Sequence, residues 1–317
     1  MLSFLPPTAR GVVATVLLVL NILVWTLILF VLALVRLALP FRRVRQGLDP
    51  WLNRVASAWI SGNSAWMRLT QRTEWDVEGV EGLDPRDWYM VSANHQTWVD
   101  IFVLQHVLNR RIPLLKFFLK RELIWVPVMG LAWWALDFPF MRRHSDAYLR
   151  EHPEKRFEDL ETTRRACEKF ALVPTSVMNF PEGTRFTADK HAAQRSSFTH
   201  LLRPKAGALS LSLAVLGERF RSFLDVTIVY PDGAPNFWQF LCGRVPRIIV
   251  RIRRLEIPPE LLGGDPVTDS RVRKAVHRWQ LERWTEKDAL ISSLLAAADG
   301  GRPADPARAP AGTDGHA

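Results

Sequence analysis

The 317 residues suit one sizeable domain with appendages rather than three domains, and a 48% hydrophobic share with 13 tryptophans lets that domain bury a large core. A net charge of +10 points to an anionic partner: nucleic acid, anionic lipid headgroups or a phosphorylated substrate. Two cysteines, Cys167 and Cys242, make neither a disulfide framework nor a metal site, which fits a reduced, cytoplasm-facing location.

Residues 11–35 are almost wholly apolar, interrupted only by Thr15, Asn21 and Thr26. About 20 helical residues cross a bilayer core, and this run is too long for a cleavable leader, so it reads as a retained membrane anchor. Arg36, Arg42, Arg43, Arg45 and Arg54 follow it, whereas only Arg10 precedes it. That bias places the rest of the chain in the cytoplasm, on the inner membrane. The anchor is expected to locate the site rather than to build it. Residues 51–69 space Trp51, Val55, Trp59, Trp66 and Leu69 as an amphipathic helix, which suits a membrane surface and an ordinary core equally.

From Trp75 the pattern changes to short apolar runs alternating with longer helical ones. The strand candidates are Trp75–Val77, Trp88–Ser92, Thr175–Phe180, Val226–Tyr230 and Arg247–Leu255; helices are expected over Phe157–Phe170 and Ala206–Leu216. Such alternation predicts an α/β class with a mixed, mostly buried sheet flanked by helices. Residues 123–140 are strongly apolar but hold Pro127, Gly130, Asp137 and Pro139, which favours a buried or interfacial helix over a second span. Asp269 to Leu295 reads as a charged helix, and the Gly-, Pro- and Ala-rich end as a disordered tail. The division is therefore residues 1–70, anchor and interfacial helix; 71–298, the main domain; and 299–317, the tail.

Two stretches carry chemistry. Asn94-His95-Gln96-Thr97-Trp98-Val99-Asp100 lies where a strand turns into a helix. On one regular helix His95 and Asp100 would stand about 140° apart around the axis, but across a turn the imidazole can fold over the carboxylate. The Asp then fixes the tautomer, and the second ring nitrogen can take a proton from a hydroxyl. Alone, H-x4-D also fits an ordinary histidine at a helix start. The second stretch, Phe180-Pro181-Glu182-Gly183-Thr184-Arg185, again follows a strand. Its Gly lets backbone approach a ligand, and its Arg offers a fork of donors to a phosphate.

These two blocks, in this order and separation, resemble the first and third motifs of the PlsC-type glycerolipid acyltransferases, the 1-acylglycerol-3-phosphate acyltransferases and their relatives. Leu119-Lys120-Arg121-Glu122-Leu123 resembles the family's basic segment, and Phe140-Met141-Arg142-Arg143 its second block, with Arg143 in the Arg position. Val226-Thr227-Ile228-Val229-Tyr230-Pro231 resembles the fourth block. Trp284-Thr285-Glu286-Lys287-Asp288-Ala289-Leu290 is similar to a branch that includes the YihG-type proteins. Thr97 stands where most members have Ser, and the second block lacks the upstream Gly that many show.

The resemblance implies a membrane-bound acyltransferase. It would move a fatty acyl group from acyl-CoA or acyl-carrier protein to the hydroxyl of a lysophospholipid, foremost 1-acylglycerol-3-phosphate, with no cofactor and no metal. His95 and Asp100 would be catalytic. Glu182, Gly183, Thr184, Arg185, Lys120 and Arg143 would bind substrate, Glu182 by holding an acceptor hydroxyl or by locking Arg185. Amides near Gly183 would hold the phosphate or the developing oxyanion. The alternatives are another lysophospholipid or a lyso-aminolipid as acceptor, or a non-catalytic lipid-binding relative. The chain has no G-x-S-x-G turn, which argues against a hydrolase-type lipase, and no recognisable nucleic-acid module.

Overall fold

The computed structural model describes residues 2, 4–39, 41–138, 140–141, 173–262 and 269–300. Two long helices, α1 (Pro7–Ala38) and α2 (Arg42–Thr70), lead into a six-stranded sheet. Its strands are β1 (Glu74–Glu78), β2 (Tyr89–Ala93), β3 (Leu115–Phe117), β6 (Ser176–Asn179), β7 (Ser222–Val229) and β8 (Arg247–Leu255). The spatial order is β1-β8-β7-β2-β6-β3, with β7 and β8 antiparallel and the other neighbours parallel. A separate pair joins β4 (Leu119–Lys120) to β5 (Phe140–Met141). This is the mixed, buried sheet that the alternating runs imply. Every residue of β2 and β7 is buried.

Side chains alternate across the sheet. On one face Tyr89, Val91, Leu224, Val226, Ile228, Ile248 and Val250 pack against α1, α2 and α3 (Val99–Leu108). On the other, Met90, Val177 and Phe223 meet Leu209, Leu213 and Leu216 of the helix Gly207–Leu216 and Val272 and Val276 of the C-terminal helix Ser270–Gly300. The result is helix, sheet, helix in three layers.

The first helix, expected to locate the site, is also packed on the domain that carries it. Ala14 and Leu18 of α1 and Trp66 and Met67 of α2 belong to the same core cluster as the sheet. Gly62 on α2 lets Asn21 of α1 come close: a Cβ there would collide with Asn21 Oδ1. Asn21 in turn donates to Trp59 O and Asn63 Oδ1. Near its start, α1 lies against Trp238 and Cys242 at Gly11. Near its end, Arg36 pairs with Asp49 at 3.4 Å and Asp137 at 2.6 Å. About 48 Å of helix is thus docked on the domain at both ends. Its outer row, including Val12, Val16, Leu23, Val24 and Leu27, is exposed.

The stretch 123–140 gives no long span. After a 3₁₀ turn (Arg121–Trp125) it forms the short helix α4 (Met129–Ala135); Ala132 and Ala135 of α4, with Leu136 just after it, are buried against Leu29 and Ala33 of α1 and Leu52 and Ala56 of α2. The expected helix Phe157–Phe170 and Arg143 lie outside the described residues.

Candidate active site

Parallel neighbours put their C-terminal ends on one edge of a sheet, and ligands bind in open α/β folds where the strand order reverses direction. Here β6 and β7 flank β2 on opposite sides, with Ser92 level with Asn179 and Ala93 level with Val226. The segments leaving these three strands therefore meet. They carry His95 after β2, Phe180 to Arg185 after β6 and Tyr230 after β7.

The segment after β2 is pinned before it turns. Asn94, fully buried, donates its amide to Ile228 O at 2.8 Å and accepts from Ile228 N at 2.9 Å, so its side chain continues the β2–β7 ladder. The turn then enters α3, which places Asp100 in the helix's first turn. Its carboxylate is wholly buried, and Oδ2 accepts from Gln96 N at 2.6 Å, Thr97 N at 2.9 Å and His95 Nδ1 at 2.8 Å. The helix start favours the negative charge there. Oδ1 accepts from the Tyr230 hydroxyl at 2.7 Å. The His95 ring stacks on Phe180 at 4.0 Å and 15°, yet 13% of its side chain stays exposed, so a substrate can reach it.

Glu182 holds backbone in this structure. The resemblance has it bind substrate, by holding a hydroxyl or by locking Arg185. It is 1% exposed, and both its oxygens hold backbone: Oε1 accepts from His95 N at 2.8 Å and Oε2 from Leu202 N at 3.2 Å. Burial pushes its carboxyl up to about 8, against the pull of those two N–H donors. Glu182 therefore ties the loop after β6 to the backbone of His95, and the bond from Phe186 N to His95 O at 2.7 Å closes the same junction.

The rest of the loop faces outward. Gly183 has φ +67°, a left-handed conformation that only glycine adopts without strain, and its N–H closes a turn on Phe180 O at 2.9 Å. That amide is thus spent within the loop and not offered to an oxyanion. Thr184 accepts from Lys190 Nζ at 2.9 Å, and the same ammonium donates to Arg185 O at 3.0 Å. Arg185 is exposed, with its guanidinium 5.0 Å from the centre of the Trp98 ring. Lys120 stands exposed on β4 and makes no polar contact with this cluster among the described residues.

Behind the loop stands the C-terminal helix. Trp284 Nε1 donates to Leu202 O at 2.9 Å, and Asp288 accepts from Thr199 N and His200 N at 2.8 Å each. Lys287, fully buried, pairs with Asp225 on β7 at 2.7 Å. Burial pulls its ammonium below the ordinary value while Asp225 supports it. Three residues of the Trp284-to-Leu290 segment thus hold the wall on which Glu182 rests.

The family profile described as Acyltransferase matches residues 74–231, the stretch from β1 to Pro231 that contains both motif blocks. The chain belongs to the PlsC-type glycerolipid acyltransferase family. It is 26% identical to a 1-acyl-sn-glycerol-3-phosphate acyltransferase of Cocos nucifera, over 57% of this chain and 51% of that protein. It is 25% identical to the gamma 1-acyl-sn-glycerol-3-phosphate acyltransferase of Mus musculus, over 72% and 61%. A crystal structure of the 1-acyl-sn-glycerophosphate (LPA) acyltransferase PlsC of Thermotoga maritima aligns with 87% of this chain and 97% of that one, at 19% identity and a TM-score of 0.47. The chain spans between 51% and 61% of the length of the first curated relatives it matches.

Four residues of the candidate site were not singled out by sequence reasoning: Tyr230, Trp98, Lys190 and Leu202. Trp98 lies inside the first motif, and its aromatic character beside an Arg-bearing loop was the one usable signal. The other three reach the site only through the order of the strands and the folding of the loop after β6.

Proposed function

We propose that the chain is a membrane-bound acyltransferase that moves a fatty acyl group from acyl-CoA or acyl-carrier protein to the free hydroxyl of a lysophospholipid, foremost 1-acylglycerol-3-phosphate, to give phosphatidic acid. The observation that carries the reading is the His95 Nδ1 to Asp100 Oδ2 bond of 2.8 Å beneath a ring that remains reachable. With Nδ1 bound to a carboxylate, Nε2 is the basic nitrogen. It takes the proton of the acceptor hydroxyl as that oxygen attacks the thioester carbonyl. Asp100 stabilises the imidazolium that forms. The tetrahedral intermediate collapses to the new ester, and the departing thiolate takes the proton back from His95. No protein nucleophile is consumed.

Arg185 binds the acceptor phosphate from its stacked position on Trp98, with Lys190 adding positive charge behind it. The names of the coconut and mouse relatives support that acceptor. The exposed apolar row of α1 sits in lipid, and the site faces the cytoplasm. The similarity of the Trp284-to-Leu290 segment supports a YihG-like branch.

The test is turnover of purified full-length protein over a panel of lysolipids with acyl-CoA and with acyl-carrier protein. A charge-assisted phosphate contact contributes about 1.5–3 kcal/mol, or about 10- to 150-fold. Lysophosphatidate should exceed monoacylglycerol in kcat/KM by that factor. Equal efficiency on the two would refute phosphate reading at Arg185, and no acyl transfer to any acceptor would refute the function.

A further inference from the structure

We infer that Tyr230 is a positioning residue for the general-base pair: its hydroxyl, seated on the far oxygen of Asp100, holds that carboxylate turned toward His95. The inference deepens the acyl-transfer reading and rests on it.

Tyr230 follows directly on β7 and is 4% exposed, with its ring in the core shared by the sheet and α1 to α3. Phenylalanine would serve that packing as well, and a buried hydroxyl is unfavourable unless it is paired. Its partner is Asp100 Oδ1, at 2.7 Å. Asp100 itself has no exposure, and its two oxygens are served very differently. Oδ2 accepts two backbone N–H groups and the His95 ring, whereas on Oδ1 the Tyr230 hydroxyl is the donor found among the described residues. The backbone donors belong to the turn itself and come with the fold of residues 96–100. The phenol is the side-chain contribution, brought from another strand.

Tyr230 also keeps its proton. Burial, the charge of Asp100 and the hydrogen bond to it all hold the phenol far above its ordinary range, so it stays a donor wherever the enzyme works. During the reaction positive charge appears on His95, and the carboxylate opposite must be an anion to stabilise it. Without the phenol, Oδ1 would be unpaired in a dry site. The carboxylate would then turn away from His95, and the imidazolium that forms would lose the anion that stabilises it. The titratable neighbour of the pair is Glu182, which holds His95 N and feels the charge of Asp100, and Tyr230→Phe leaves it in place.

The experiment compares full-length wild type with Tyr230→Phe, using acyl-CoA and lysophosphatidate, with kcat and KM measured across neutral pH. Loss of a hydrogen bond to a charged group should lower kcat by about 10-fold and leave both KM values within about twofold. Unchanged melting with a fall confined to kcat separates positioning from a packing role. A kcat equal to that of an active wild type would overturn the inference. A second readout needs no turnover. The proton resonance of the His95 Nδ1–H group, assigned with a His95→Gln variant, should move upfield in Tyr230→Phe as its bond to Asp100 weakens. Should the wild type acylate nothing, the functional reading falls, and this resonance still decides whether Tyr230 acts on the pair. An unmoved resonance refutes it.

Discussion

The two halves of the site are held in opposite ways. His95 and Asp100 lie under a closed set of hydrogen bonds from the turn into α3, from Tyr230 and from Glu182, and Asp100 has no exposure. Arg185, only a loop away, is exposed and rests on a tryptophan that is itself 54% exposed. Proton transfer demands a fixed base, and that demand is the same for every acceptor. On the proposed function, phosphate recognition has to accommodate a lipid arriving from a membrane, and a long guanidinium on an open face can swing to meet it. A change in the pinned half should therefore depress turnover of all acceptors alike. A change in the open half should alter the choice between acceptors.

The largest effect should come from His95→Ala. Loss of a general base costs about 10²- to 10⁴-fold in turnover. Because Glu182 and Phe186 hold the backbone of His95 and not its ring, the variant should remain folded by circular dichroism and gel filtration. Turnover near the wild-type level would break the comparison at its root.

Glu182→Gln probes the pins themselves. A glutamine can accept only one of the two N–H groups now held, so the junction between the loop and His95 loosens and kcat falls for every acceptor. The variant also removes a titration. The folded carboxyl lies at about 8 against an ordinary value of 4.5, so the folded state binds a proton that the unfolded chain has released in this window. That contribution is complete below pH 4.5 and is lost as pH rises through about 8. Thermal melts across this range should show wild-type stability declining relative to Glu182→Gln as pH rises. A constant offset would mean that Glu182 sits there ionised throughout.

Arg185→Ala moves to the open half. It should erase most of the advantage of lysophosphatidate over monoacylglycerol, about 10- to 150-fold in kcat/KM, while leaving monoacylglycerol turnover near wild type. Arg185→Lys should restore only part, since lysine lacks the planar fork. Equal losses on both acceptors would place Arg185 in the pinned half.

The pinned half was legible in kind, because H-x4-D between a strand and a helix requires only local geometry. The strand Arg247–Leu255 was legible to the residue, since its nine residues are all branched aliphatics or arginines and follow directly on Pro246. What stayed hidden depends on register. Glu182 meets His95 because Ser92 stands level with Asn179, and Tyr230 meets Asp100 across 130 positions because β7 neighbours β2. Nothing local encodes either. Strands of two or three residues, such as Leu115–Phe117, carry no alternation to read. The first helix reads as an anchor because it is apolar all round, a pattern that suits lipid and a protein core equally. The distinguishing signal is the spacing of its inward row, in which four of six residues are small or polar. Gly11, Ala14, Leu18, Thr26, Leu29 and Ala33 fall at three- and four-residue steps, or sums of them, and they are the residues that face inward.

The smallest expected effect is the sharpest test of the open half. An exposed cation–π interaction contributes about 0.5–1 kcal/mol, or about 2- to 5-fold. If Trp98 serves only to park Arg185 where the phosphate arrives, Trp98→Ala should raise the KM for lysophosphatidate by that factor and leave kcat unchanged. Monoacylglycerol, which has no phosphate to place, should be unaffected. In an Arg185→Ala background the same substitution should do nothing further, because no guanidinium remains for the indole to hold. Trp98 also stands immediately before the first residue of α3, two positions ahead of Asp100. Its removal could therefore disturb the turn that delivers Asp100, and the comparison distinguishes the two cases. A fall in kcat shared by both acceptors, persisting without Arg185, would assign Trp98 to the machinery of the base. A KM effect confined to the phosphorylated acceptor would assign it to recognition.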